Sequence, residues 1–271
     1  MADHAHNLRA HFAAAEAGRP IGVITRGTTN FNRLRRSDRW SIHHPELRGM
    51  LSSSPLPHAV DVGYGASFTT TVEWARWLRR LRPDIRVTGL EINPERVLPP
   101  REGVEFELGG FELAGYRPHL VRAFNVLRQY DVEQVTAAWN LVLDNLAPGG
   151  MFIEGTSDEL GRRATWVLLD KSGPRSLTLA WDPMAVERPS DLAERLPKML
   201  IHRNVPGEKI HGLLTTLDNA WERSAGWQPY GPRVRWRQTR ELLAQEGLTM
   251  APIRRRVRDS LLTVPWETVA P

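Results

Sequence analysis

Val60-Asp61-Val62-Gly63-Tyr64-Gly65-Ala66-Ser67 is the stretch on which the reading of this chain turns. A short apolar run ends in two glycines separated by one residue. Glycine carries no Cβ and reaches positive φ without strain, so such a pair lets the backbone turn sharply and approach a ligand closely. Two phosphate cradles are excluded. A dinucleotide turn needs glycine or alanine where Phe68 stands, and no Gly-Lys-Ser/Thr follows as a phosphate loop requires. Asp61, two residues ahead of the first glycine, would repel phosphate and favours a cationic ligand instead.

Working outward, a second apolar run ends at Glu91 in Thr88-Gly89-Leu90-Glu91-Ile92-Asn93-Pro94. A carboxylate at a strand tip can accept both hydroxyls of a ribose. Read for structure alone, Asp61 is a turn acid and Glu91 a helix cap; their spacing, each closing a strand, favours ligand binding. Further strands are expected at Ala59–Val62, Arg86–Leu90, Val104–Leu108, His119–Phe124 and Met151–Glu154, alternating with helices, the pattern of a parallel sheet. One helix runs to about Leu81 and is stopped by Pro83, with Thr70 and Glu73 at capping-box spacing. Another carries Val132, Val135, Trp139, Val142 and Leu146 on one face.

After residue 154 the alternation breaks. Ala164–Asp170 and Ser176–Trp181 read as a hairpin, about Ser190 to Ala225 as helical, Gln238–Glu246 as a helix, and Leu248–Ile253 and Ser260–Val264 as closing strands. The expected fold is α/β, a doubly wound, mostly parallel seven-stranded sheet. The expected organisation is an N-terminal helical and basic extension (1–57, with a short helix at Asn7–Ala17), a Rossmann-like ligand-binding domain (58–160 with 236–271), and an insertion at 161–235.

The segment from Ala59 to about Thr156 resembles the class I S-adenosylmethionine-dependent methyltransferases. Asp61-Val-Gly-Tyr-Gly65 matches that family's first motif, and Gly89-Leu-Glu-Ile-Asn-Pro-Glu95 resembles its second. Phe106–Leu113 stands at the adenine-contacting loop, Ala123–Tyr130 after strand four, and Leu146–Glu154 at the turn into strand five. The resemblance implies S-adenosylmethionine as cofactor, held by Asp61, Gly63, Tyr64, Gly65, Glu91, Ile92, Gly110, Phe111 and Asn125. Ser67 replaces a third loop glycine. Gly110 stands where many members carry an aspartate for the adenine amino group, so adenine recognition falls to the backbone at Gly110 and Phe111, helped by Glu112. Asn125-Val-Leu-Arg128 replaces the Asn/Asp-Pro-Pro-Tyr/Phe motif that serves exocyclic base amines. With no cysteine, the covalent route to 5-methylpyrimidines is closed.

Methyl transfer from a sulfonium is an in-line displacement that depends mainly on positioning and exclusion of water. Residues at the tips of strands four and five are the catalytic candidates: Asn125, Arg128 and Tyr130, with Glu154, Thr156 and Asp158. The structural alternative pairs Arg128 with Asp131 and makes Asp158 a turn cap.

Composition narrows the class further. The chain has 271 residues, 41% apolar and 25% charged, which is globular rather than disordered. No run is long enough to span a bilayer, and the start lacks a signal-peptide pattern, so a cytoplasmic enzyme without a membrane partner is expected. Histidines 43, 44, 202 and 211 form no metal constellation, and no metal is expected.

The 36 basic residues against 31 acidic ones include five arginines between Arg26 and Arg39. Arg26, Thr28, Asn30 and Arg33, with Tyr130, are the candidate substrate contacts. Arg254-Arg255-Arg256 and Arg258 form a second cluster. A small-molecule acceptor beneath the insertion as a lid is the expected reading, with Trp166, Trp181, Trp221, Trp227 and Tyr230 lining a pocket or forming local core. RNA methylation through the two basic clusters is the alternative. A non-catalytic cofactor-binding protein is a third.

Overall fold

Strands covered by helices on both sides are buried on both faces, and four of the five central runs are so buried along nearly their whole length. A computed structural model describes residues 20–24 and 29–271. The runs form β1 (His58–Val62), β2 (Arg86–Glu91), β3 (Val104–Leu108), β4 (Leu120–Phe124) and β5 (Met151–Ser157). They pair in parallel in the order β3-β2-β1-β4-β5. The order reverses between β1 and β4. Open α/β sheets bind ligands at such a switch point, beyond the carboxyl ends of the strands.

The other half of the sheet departs from expectation. β6 (Arg163–Asp170) and β7 (Gly173–Trp181) form the expected hairpin, but β6 pairs antiparallel with β5 and β7 with β8 (Leu261–Pro265). Residues 163–181 therefore belong to the sheet. Among the described residues the sheet has eight strands rather than seven. The short return from β5 to β6 permits only antiparallel pairing, since a parallel neighbour would need a crossover connection. Leu248–Ile253 is not a strand; Pro252 lacks a donor, although Ala251 N donates to the Thr263 carbonyl at 2.9 Å.

One face of the sheet is covered by α1 (Arg35–His43), α2 (Pro45–Ser53) and α3 (Thr69–Leu78), packing Trp40, Leu47, Leu51 and Trp74 against Ala59, Leu120 and Trp166. The other face carries α4 (Val132–Asp144), α5 (Lys198–Ile201), α6 (Lys209–Arg223) and α7 (Pro232–Gln245). Leu192, Leu196, Leu200, Leu213, Leu217 and Trp221 of the expected insertion join Trp139, Trp181 and Trp236 in the core of that face. Trp166, Trp181 and Trp221 are thus core residues, whereas Trp227 and Tyr230 are exposed.

Residues 35–39, the end of the basic stretch expected from Thr25 to Arg39 as loop-like, are helical. α1 buries Arg36, Ser37, Asp38 and Ser41 beside Trp40 and Ile42, so its inward stripe is largely polar. The Thr70–Glu73 capping box is absent: the Glu73 carboxylate accepts instead from Asn32 N at 2.9 and 3.0 Å. The expected helix at Asn7–Ala17, and the candidate contacts Arg26 and Thr28, lie outside the described residues.

Candidate functional site

The glycine turn adopts the conformation its residues permit. Gly63 and Gly65 have φ of +71° and +79°. Gly63 N donates to the Leu90 carbonyl at 2.7 Å, and a Cβ on Gly63 would lie 2.6 Å from Val126 Cγ2. Glu91 braces the turn: Oε2 accepts from Gly65 N at 3.0 Å and Oε1 from Asn93 N at 3.1 Å. Each carboxylate oxygen keeps acceptor capacity beyond these bonds. A crevice of about 680 Å³ opens beside this turn, lined by Gly63, Gly65, Asn125 and Arg128 among others. Asn125 has φ +63°, and its Oδ1 accepts from Ser157 N at 2.8 Å, tying the tips of β4 and β5 together. Asparagine tolerates this left-handed geometry better than most residues.

Asp61 borders the crevice, but its carboxylate is already engaged. Arg122, its register partner on β4, donates Nε to Oδ1 at 2.9 Å and Nη2 to Oδ2 at 2.7 Å. Thr71 Oγ1 donates to Oδ2 at 2.7 Å. Arg122 also donates to Asp38 Oδ1 and to the Thr70 carbonyl, with its guanidinium 4.3 Å from the Trp74 ring centre. The expectation that Asp61 faces a cationic ligand is corrected: sequence spacing does not reveal an arginine sixty-one residues away on the neighbouring strand. Burial pushes the Asp38 carboxyl up to about 7 against the attraction of Arg122.

On the other side of Gly63 the expected cofactor residues converge. Glu91, Ile92, Gly110, Phe111 and Tyr130 line one small cavity, together with Ile21, Gly22 and Val23. Its volume is about 20 Å³, room for about one water. The segment 21–23 lies across it as a strap. Phe111 N donates to the Ile21 carbonyl at 3.0 Å, and Val23 N donates to Tyr130 Oη at 2.6 Å. Glu112 clamps both sides, accepting from Ile21 N and Gly110 N, each at 2.7 Å. A Cβ on Gly110 would overlap the Ile21 carbonyl, so glycine is required there for the strap to lie down. Tyr130, expected to contact substrate, faces this cavity instead, and burial raises its phenol to about 12. Tyr64 is a brace: its hydroxyl donates to the Arg96 carbonyl and accepts from Leu98 N.

The catalytic candidates separate. Arg128 lines the crevice, and its buried Nη1 has no hydrogen-bond partner among the described residues. Glu154 faces the helical core, only 1% exposed, with Oε2 unpartnered; burial raises its carboxyl to about 8. It is therefore protonated at neutral pH and does not line the crevice. Asp158 closes the β5–β6 turn, accepting from Arg162 N and Arg163 N at 2.8 and 3.2 Å. Thr156 donates to the Arg195 carbonyl, as does Thr165. Arg33 lines the crevice and donates to the Asp158 and Ser157 carbonyls, and Asn30 Nδ2 donates to the Glu159 carbonyl.

Sequence reading missed Arg96, Glu159 and Arg195, which also line the crevice. Glu159 adjoins Asp158, one of the candidates at the β5 tip. Arg195 carries no signal, since the chain reaches the crevice only through the anchoring of its carbonyl.

No family model matches the chain, and no curated protein does. Among solved structures, the CcbJ methyltransferase from Streptomyces caelestis matches at 18% identity over 54% of this chain and 70% of its own, with a TM-score of 0.33. Human N-acetylserotonin methyltransferase, in complex with SAM, matches at 21% identity over 57% and 50%, with a TM-score of 0.31. The plantazolicin methyltransferase BpumL, in complex with SAH, matches at 10% identity over 56% and 52%, with a TM-score of 0.34. The chain thus spans between half and 70% of these proteins' lengths.

The fold is a doubly wound, Rossmann-like α/β sheet. That statement rests on the doubly wound order of β1–β5 and on the left-handed glycine turn at its switch point. Among the described residues, no group of histidines and acids could hold a metal ion. No helix there is long and apolar enough to cross a membrane.

Proposed function

We propose that the chain is an S-adenosylmethionine-dependent methyltransferase whose acceptor is a small molecule bearing a carboxylate or phosphate. The observation that carries this is the Gly63–Gly65 turn, braced by Glu91 and opening on a crevice of about 680 Å³. The residues fit the cofactor on three counts: a turn free of side chains, a tip carboxylate with acceptor capacity left for ribose hydroxyls, and Ile92 and Phe111 beside Gly110 for the base. The strap at 21–23 must lift for a nucleoside to enter. When bound, S-adenosylmethionine supplies an electrophilic methyl carbon on sulfur.

The chain's own residues have three tasks. Arg33, Arg96, Arg128 and Arg195 surround the crevice and suit an anionic group on the acceptor, which also offsets their mutual repulsion. Asn125 fixes the spacing of the β4 and β5 tips, so that the acceptor is held in line. Glu159 opens on the same crevice and is placed to take a proton where the acceptor carries one. The segment expected as a lid supplies Arg195 to the crevice wall.

Calorimetric titration with S-adenosylhomocysteine tests the reading. Glu91→Ala should weaken binding by about 1–3 kcal/mol, the cost of leaving buried hydroxyls unpaired. Absence of binding to the wild-type chain, or equal affinity in the variant, would overturn it.

A further inference from the structure

Two basic runs that lie far apart in the sequence meet on the other side of the start of α1. Arg35, Arg36 and Arg39 come together with Arg233, Arg255 and Arg258 around a second cavity of about 600 Å³. Against these six guanidinium groups stand two carboxylates, Asp182 and Asp259. Asp259 is taken by Arg39, at 2.6 and 3.0 Å, and by Arg255 at 2.8 Å. Arg36 sits 3.9 Å from Asp182 and donates to the Gly161 and Asp259 carbonyls. Arg35, Arg233 and Arg258 remain exposed, with no carboxylate partner among the described residues. Burial lowers the pKa values of Arg36 and Arg39, with a smaller contribution in the same direction from neighbouring arginines.

Crowded guanidinium groups suit phosphate, which they grip in planar, two-pronged fashion. The same cavity has an aromatic edge. Tyr230 is 69% exposed and lines it, and the Trp227 ring, 43% exposed, lies 5.7 Å from that of Tyr230. Exposed aromatic rings beside arginines serve to stack bases.

We propose that this cavity binds a nucleotide, with phosphates across Arg35, Arg233 and Arg258 and the base against Tyr230 and Trp227. Arg33 and Leu34 face the methyl-transfer crevice, whereas Arg35 and Arg36 face this cavity. The proposal therefore stands whether or not the chain transfers methyl groups. A free nucleotide and a strand of RNA share the recognising chemistry.

The full chain is titrated with inorganic pyrophosphate, a nucleoside triphosphate and a short single-stranded RNA, with thermal unfolding as the control for folding. Pyrophosphate and the triphosphate should bind, and Arg233→Ala and Arg258→Ala should each weaken both about tenfold at an unchanged thermal midpoint. Tyr230→Ala should weaken the triphosphate about fivefold and leave pyrophosphate unaffected. RNA that competes with the triphosphate, binds more tightly and falls off steeply with salt assigns the site to nucleic acid; triphosphate binding without such competition assigns it to a free nucleotide. Failure of all three probes to bind, or binding that survives the double variant Arg233→Ala/Arg258→Ala, overturns the proposal. Arg35→Ala is the independent check should either variant alter the thermal midpoint. S-adenosylhomocysteine affinity should be the same in all these variants.

Discussion

Glu154 offers the sharpest test of the electrostatics around the site. It sits on β5 in the core of the helical face, with Oε2 unpartnered, and burial raises its carboxyl from 4.5 to about 8. Below pH 4.5 the group is protonated in folded and unfolded chains alike, and it adds no pH dependence. From there to about pH 8 the unfolded chain ionises while the folded one does not, so stability falls as pH rises; above 8 the loss levels off. At about 1.4 kcal/mol per pH unit, the interval from 4.5 to about 8 corresponds to about 5 kcal/mol. That figure is a ceiling, because water entering around the ionised group reduces the cost.

Glu154→Gln removes the titration while keeping size and shape. Urea unfolding of both proteins at pH 5 and pH 9 should show nearly equal stabilities at the lower pH. At the higher pH the variant should be ahead by several kcal/mol, with S-adenosylhomocysteine affinity unchanged. An equal difference at both pH values would refute the assignment of Glu154 as a buried acid, and lost affinity would restore it to the site.

Three further outcomes are expected. Gly63→Ala would put a methyl group 2.6 Å from Val126 Cγ2 at φ +71°, so it should lower stability by about 1–3 kcal/mol and abolish cofactor binding in the same titration; a variant that binds normally would remove the turn from the site. Arg122→Met strands two buried carboxylates and should cost about 3–5 kcal/mol at pH 8, much of it recovered when Asp38→Asn and Asp61→Asn are added, as read from urea midpoints. Tyr130→Phe removes the acceptor of Val23 N, worth about 1 kcal/mol, and should tighten S-adenosylhomocysteine binding about fivefold by freeing the strap; weaker binding would mean that the phenol touches the nucleoside.

Strands β1, β2, β4 and β5 are legible because they are buried on both faces and read as largely apolar runs between turn residues, and β3 because its buried Val104 and Phe106 alternate with glutamates. The hairpin is legible too, but its place beside β5 is not, since local patterning says nothing about which edge a hairpin joins. α1 was hidden for a different reason. Its inward face carries Arg36 and Asp38, whose partners come from Gly161, Asp259 and Arg122, and Ser37 and Ser41, which donate to carbonyls of their own turn, so the buried stripe is largely polar rather than apolar.

The glycine turn and Glu91 could be picked out from residue type and spacing. Asp61 could be picked out as well, but its role could not be. The donors that occupy it, Arg122 and Thr71, come from β4 and α3, and only the folded register brings them near. The strap at 21–23 lacks any period, and its clamp, Glu112, was foreseen only as a helper of adenine recognition.

The tie between Asp38, Asp61 and Arg122 also constrains how the chain could have diverged. One guanidinium serves two acids drawn from separate elements, so no single change at these positions leaves the others content. Among descendants of a common ancestor the three positions should vary as a set. A lineage with an aliphatic side chain at 122 should carry neutral residues at both 38 and 61, and intermediates bearing a lone acid should be rare.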